Sequence, residues 1–205
     1  MSIDTFLAFA AATMVLLVIP GPTILLVVSY ALGQGWRAAV PLAIGVALGD
    51  FTAMTLSLFG VGALLQASAT LFTVLKWIGA AYLIYLGFKL FRAGGTLDVA
   101  PVTDAKSSFK MLAHAWIVTA LNPKSITFFV AFVPQFVNHD APFAPQALIM
   151  VAAFVVLAFT NAFGYAFIAA RARTTFANPT AIKIFNRPGG PLLMGAGGAG
   201  VTIRS

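Results

Sequence analysis

Ile19-Pro20-Gly21-Pro22 stands in the middle of an apolar run that extends from Phe6 to Leu32. Pro20 and Pro22 carry no amide hydrogen, so the carbonyls of Leu16 and Val18 lose the partners that a helix would supply four residues on. Gly21 between them loosens the backbone further. In water this stretch would be a turn. Inside a bilayer, non-helical backbone survives only where it is buried in protein or lines a wet cavity, because each unsatisfied polar group otherwise costs several kcal/mol. The break is therefore a candidate site, and its meaning depends on whether the chain supplies a matching partner.

The chain around it is built for lipid. Of its 205 residues, 60% are hydrophobic and 8% charged, a balance that soluble domains of this size do not sustain. Apolar runs of about twenty residues recur without strand-like alternation, which predicts an all-α polytopic membrane protein rather than a barrel. Six transmembrane helices are expected near 6–32, 38–65, 70–91, 112–136, 143–169 and 189–203, so that 1–205 forms a single transmembrane domain. The sixth is short: fifteen residues at about 1.5 Å each reach about 22 Å of a roughly 30 Å core. Gly189, Gly190, Gly195, Gly197, Gly198 and Gly200 make it a poor helix. The N-terminus has Asp4 and no basic residue before the first apolar run, unlike a cleavable signal, so that run is expected to remain as the first span. With no cysteine, disulfides and thiolate metal sites are excluded, and no cofactor or metal is expected.

The net charge of +7 is not gathered into a patch that would suit nucleic acid. The basic residues lie between apolar runs and report topology. Arg37, Lys89, Arg92, Lys106, Lys110, Arg171, Arg173, Lys183 and Arg187 fall in one alternate set of loops, and Arg204 alone falls in the other, with the acids Asp4 and Asp140. This asymmetry predicts periplasmic termini and cytoplasmic loops near 92–111 and 170–188. Lys76, beside Trp77 and only a turn or two from the start of span 3 at its outer end, is expected to snorkel to the interface. Lys124, in the middle of span 4, has no such exit.

Span 4 supplies the partner. Leu121-Asn122-Pro123-Lys124-Ser125 frees the carbonyl of Thr119 as the prolines of span 1 free theirs. Both breaks fall near the centre of their spans, and with three spans in each half, span 4 runs opposite to span 1. The pattern is that of a 3+3 inverted repeat with proline-broken helices 1 and 4, the best sequence pointer to a transporter's site. Asn122 is an expected N-cap that accepts from the amide of Ser125, with Pro123 in the first helical position; Gly21 and Pro22 serve in the same way before Thr23. Each break then presents a half-helix N-terminus at mid-membrane. Two such ends, together with Lys124, suit a carboxylate.

Asp50 is the only acid well inside any span. An ionised carboxylate at that depth costs about 2.5 to 3.5 kcal/mol on insertion scales, so it is expected to face the bundle interior. Two readings stand: an internal ion pair with Lys124 that holds the bundle, or a carboxyl that binds an amine or exchanges a proton. Gly45 and Gly49 form a small-residue face beside it. In span 5, Asn161 is the neutral counterpart of Asp50 and either binds substrate or links helices; Thr160, Gly164 and Tyr165 share its apolar run. His114 reads as an interfacial residue or a proton relay, and Gly79-Ala80-Ala81 with Gly87 as a packing face.

Three separated motifs now resemble one family. Ile19-Pro20-Gly21-Pro22, the run Leu75-Lys76-Trp77-Ile78-Gly79-Ala80-Ala81-Tyr82-Leu83 ending in Gly87, and Asn122-Pro123-Lys124-Ser125 followed by Phe132-Val133-Pro134-Gln135-Phe136 are similar to the LysE/RhtB family of bacterial amino-acid exporters. The resemblance covers residues 1 to about 197. It implies export of amino acids such as homoserine, threonine, leucine or lysine, and related metabolites, across the inner membrane in exchange for protons. It also implies that the Pro-Gly-Pro and Asn-Pro-Lys segments belong to the site. The chain differs from the family pattern at Asn161, where some members carry an acid, and in Pro188, Pro191 and the glycine-rich end.

The combined expectation is a proton antiporter working by alternating access. Pro20, Gly21, Pro22, Thr23, Asn122, Pro123, Lys124, Ser125 and Asn161 surround its zwitterionic substrate, and Asp50 binds the amine or carries the proton. A different solute carrier of the same superfamily and a non-transporting membrane helper are the other readings. An intramembrane enzyme would need a nucleophile or metal cluster that two histidines and a single deep acid do not supply. Small-residue faces permit a homodimer.

Overall fold

The computed structural model describes residues 1–67, 101–102, 106–138 and 140–176, together with single helical positions at 70, 74, 77, 78, 81 and 85. The expected spans 3 and 6, Lys76, and the Gly79 to Gly87 packing face lie outside these residues or are described only at those single positions. Among the described residues the fold is entirely helical.

The first apolar run forms two helices, α1 (Ile3–Val18) and α2 (Pro22–Gln34), bent by 55° at the Pro-Gly-Pro break. Ser2 caps α1 by accepting from the amide of Thr5 at 3.2 Å. Gly35, with φ of 77°, closes α2 in the left-handed region that glycine adopts at no steric cost. A short 3-10 turn (Trp36–Ala38) leads into α3 (Ala39–Ala67).

The Asn-Pro-Lys run divides the next segment into α4 (Ser108–Ala120) and α5 (Pro123–Ala131), with a 3-10 turn at Val133–Phe136 and a bend of 47°. The last described helix, α6 (Phe143–Phe176), extends seven residues past the end expected from hydropathy. Gln146, buried in its first turns, accepts from the amide of Asn138 at 2.9 Å. It also donates to the carbonyls of Asn138, Ala141 and Pro142, which fixes the turn before the helix. Two described helices are long and apolar enough to cross a membrane, and each bent pair makes a further span if its halves are taken together. Phe59, Val156 and Ile168 are among the large side chains exposed on the outside, as lipid requires and water penalises.

α3 is the centre, packed against α4, α5 and α6. Its approach to α4 depends on the small residues foreseen from sequence: Gly49 lies against Thr119 and Trp116, and Gly45 against Leu112 and Ala115. A second cluster, with Phe129 and Phe154 edge to face at 4.8 Å between centroids, joins α5 to α6.

The segment leading into α4 lies on α2. The Val102 amide donates to Ser29 O at 3.0 Å. Lys106 donates to the hydroxyl of buried Tyr30 at 2.8 Å, and His114 Nδ1 lies 2.9 Å from the same hydroxyl. His114 is itself exposed, so this bond ties a residue at the edge of the bundle to the buried Tyr30, in keeping with an interfacial position. Gly33 makes this seat possible, because a Cβ there would overlap Val102 O. Gly33→Ala is therefore expected to lift the 101–102 segment and break the Val102 to Ser29 bond, costing about 1 to 2 kcal/mol. Hydrogen exchange at the Val102 amide checks this; unchanged protection would refute it.

Candidate functional site

The last turn of α1 ends on four carbonyls with no helical partner, those of Leu16, Leu17, Val18 and Ile19. Proline removes the donors for Leu16 and Val18, and the chain turns away before it can serve the others. Side chains from two other helices fill all four places. Lys124 Nζ donates to Leu16 O at 3.0 Å and to Ile19 O at 2.7 Å. Asn161 Nδ2 donates to Leu17 O at 3.1 Å, and the Tyr165 hydroxyl to Val18 O at 2.7 Å. An ammonium at this end also meets the negative pole of the α1 dipole. Lys124 passes close beside Gly21: a Cβ there would stand 3.4 Å from both Cε and Nζ, at ordinary van der Waals contact.

The two half-helices that restart after the breaks are tied together. Gly21 is the N-cap of α2 and Pro22 its first residue; Asn122 is the N-cap of α5 and Pro123 its first residue. Thr23 Oγ1 accepts from Asn122 Nδ2 at 3.0 Å and from Thr119 Oγ1 at 3.3 Å, all three side chains being buried. This corrects one detail of the cap. Asn122 Oδ1 accepts from the amide of Lys124 at 3.0 Å, not from that of Ser125. With its NH2 group drawn to Thr23, the carboxamide is turned so that its oxygen reaches the nearer amide. The Thr119 carbonyl freed by Pro123 accepts from the Asn122 amide at 3.1 Å.

Asp50, from α3, closes the arrangement. It is 2% exposed, and its Oδ1 has no hydrogen-bond partner. The internal Asp50 to Lys124 ion pair allowed by the sequence is not formed: among the described residues no ion pair joins the two, and Lys124 is spent on the α1 carbonyls. Both side chains nevertheless line one cavity of about 20 Å³, room for a single water-sized group.

Seven of the ten expected residues, Gly21, Thr23, Asp50, Asn122, Lys124, Ser125 and Asn161, line that cavity. Pro20, Pro22 and Pro123 shape the breaks without lining it. Asn161 is engaged with Leu17 O, so in this conformation it links helices. Sequence reading missed the capping role of Tyr165, although its spacing of four from Asn161 puts both on one helix face. It also missed the apolar wall of Ile24, Val46 and Ala158. Among the described residues no three His, Asp or Glu side chains gather to hold a metal.

Irregular backbone kept inside an apolar helical bundle, at two broken helices that meet around a buried carboxyl, defines a membrane transport protein. The comparisons carry this further: a model of the LysE type translocator family matches residues 14–201, and the chain belongs to that family. It is a translocator and not an enzyme. The chain is 32% identical over 194 residues to a homoserine/homoserine lactone efflux protein of Salmonella typhimurium, covering 95% of this chain and 94% of that one. It is 34% identical over 128 residues to a leucine efflux protein of Salmonella choleraesuis, covering 62% and 60%. An uncharacterized membrane protein of Vibrio cholerae is 32% identical over 197 residues, 96% of each chain. No solved structure matches.

Proposed function

We propose that this translocator is a secondary active exporter of amino acids or related small zwitterionic metabolites across the bacterial inner membrane, coupled to proton entry by alternating access. The observation that carries the reading is the meeting of the two proline breaks, through Lys124 and Thr23, around the buried carboxyl of Asp50, whose Oδ1 has no hydrogen-bond partner. A zwitterion needs one basic and one acidic anchor at similar depth. Lys124, with the N-terminal ends of α2 and α5, offers the first. Asp50 offers the second, as partner of the amine or as carrier of the proton. The names of the amino-acid efflux relatives support the substrate class.

The wider frame belongs to the same proposal. Residues 1–205 form one domain of six spans in a 3+3 inverted repeat with both termini periplasmic, and its small-residue faces allow a homodimer. The two bends of 55° and 47°, one in each half, support the repeat. A cavity of about 20 Å³ takes no amino acid, so in this reading the site widens before substrate enters.

Efflux from loaded vesicles across a panel of amino acids, with a pH-sensitive dye reporting proton flow, tests the proposal. Release of one or a few amino acids together with opposed proton movement is the expected result. Absence of release for the whole panel, or release unaffected by collapsing the proton gradient, rejects it.

A further inference from the structure

The end of α1 is built as a cation site. Two carbonyl oxygens, of Leu16 and Ile19, lie 3.0 and 2.7 Å from one positive group, at the negative pole of a half-helix. Unwound backbone and half-helix C-termini coordinate transported cations in transporter folds of this general kind. An independent observation marks the same place as a ligand site: the Asp50 carboxyl, 2% exposed and with an unpartnered Oδ1, faces the same small cavity. The occupant here is the chain's own. Lys124 reaches the carbonyls on a flexible four-carbon stem whose compact head carries three rotatable donors, and it can leave them by rotating that stem.

From this geometry we infer that the carbonyls of Leu16 and Ile19, with Asp50, form a binding site for a primary ammonium group, which Lys124 fills as a tethered stand-in and yields to the ammonium of the transported molecule. In the exchange Lys124 turns to the carboxylate of the entering zwitterion while the entering ammonium takes over the carbonyls, so no positive charge is stranded and the α1 end is never left bare. A molecule with its amine acylated has nothing to replace Lys124 with, and is refused. The identity of the displacing molecule rests on the exporter reading above; the need of the α1 end for an ammonium does not.

The test is thermal unfolding of the purified full chain in detergent, with propylammonium chloride as the probe and choline chloride at equal concentration as the ionic-strength control. Lys124→Ala is expected to lower Tm by roughly 5 °C or more. Propylammonium is expected to restore it saturably, with choline inert and the wild type indifferent to both. If Lys124→Ala gives folded protein only when propylammonium is present, that is the same result; failure of propylammonium to recover it overturns the inference, as does equal recovery by choline. Lys124→Met keeps the stem and removes the charge, and is expected to be destabilised without recovery; a Lys124→Met protein as stable as wild type overturns the inference too. Recovery by propylammonium combined with no amino-acid efflux in vesicles would leave the ammonium site standing and remove the exporter reading alone.

Discussion

Vesicles carrying the Asp50→Asn variant are expected to show substrate-driven proton movement no faster than protein-free vesicles, with folded yield close to wild type. The two halves of this expectation have separate causes. Among the described residues Asp50 is the only buried acid, and it lines the cavity at which the two breaks meet. Under the proposed coupling its replacement removes the one group there that can take up and release a proton as a carboxyl does. Folding should be spared because no ion pair joins Asp50 to Lys124 among the described residues, its Oδ1 has no hydrogen-bond partner to lose, and an asparagine oxygen can still accept from Ser125. An unpaired buried polar group costs about 1 to 3 kcal/mol, and asparagine keeps the shape of the carboxyl while removing its ability to ionise. Wild-type proton movement by Asp50→Asn would take the coupling role away from this residue. A collapse of folded yield would show instead that the carboxyl is structural.

The second large effect concerns the scaffold. Gly49→Leu is expected to destabilise the chain by about 3 kcal/mol, the upper end of the range for overpacking, and to abolish transport. Even a Cβ at Gly49 would stand 2.6 Å from Thr119 Cβ, 2.8 Å from Trp116 O and 3.0 Å from Ala120 N. Two of these three atoms are backbone, so no rotamer change relieves the contact, and α3 and α4 must separate. Separation moves Asp50, the next residue along, and Thr119, which donates to Thr23. Gly164→Ala is the control: a Cβ there meets nothing within 4 Å, so Tm should hold or rise. Unfolding of the two variants in the same detergent checks the pair, and equal Tm values would refute the packing argument.

What could be read from the sequence follows from which interactions are local. Helix breaks at Pro20, Pro22 and Pro123 are properties of single residues, so both were legible, and so was the freeing of the Leu16 and Val18 carbonyls. The small-residue contact at Gly45 and Gly49 was legible because spacing of four on a helix sets a face whatever the partner. The partners of the freed carbonyls were not legible. Lys124 reaches Ile19 across 105 residues of chain and Tyr165 reaches Val18 across 147; these pairings depend on how the bundle closes. Composition places a cation at depth without saying whether it answers to Asp50 or to backbone, and in this structure the backbone holds it. The Asn122 cap moved by one residue for a similar reason, because its NH2 group answers to Thr23 on another helix.

The capping of α1 has a consequence for how the protein is made. Every group that satisfies its final turn comes from Lys124, Asn161 or Tyr165, which leave the ribosome long after Val18 does. At about 5 to 20 residues per second, the interval before Tyr165 appears is on the order of ten seconds. Through that time the first span sits in or beside the translocon with its midpoint uncapped, and water or the channel wall must serve the four carbonyls. Assembly of this chain therefore returns to where it began: the centre of the first segment to be inserted dries only once Tyr165 has arrived.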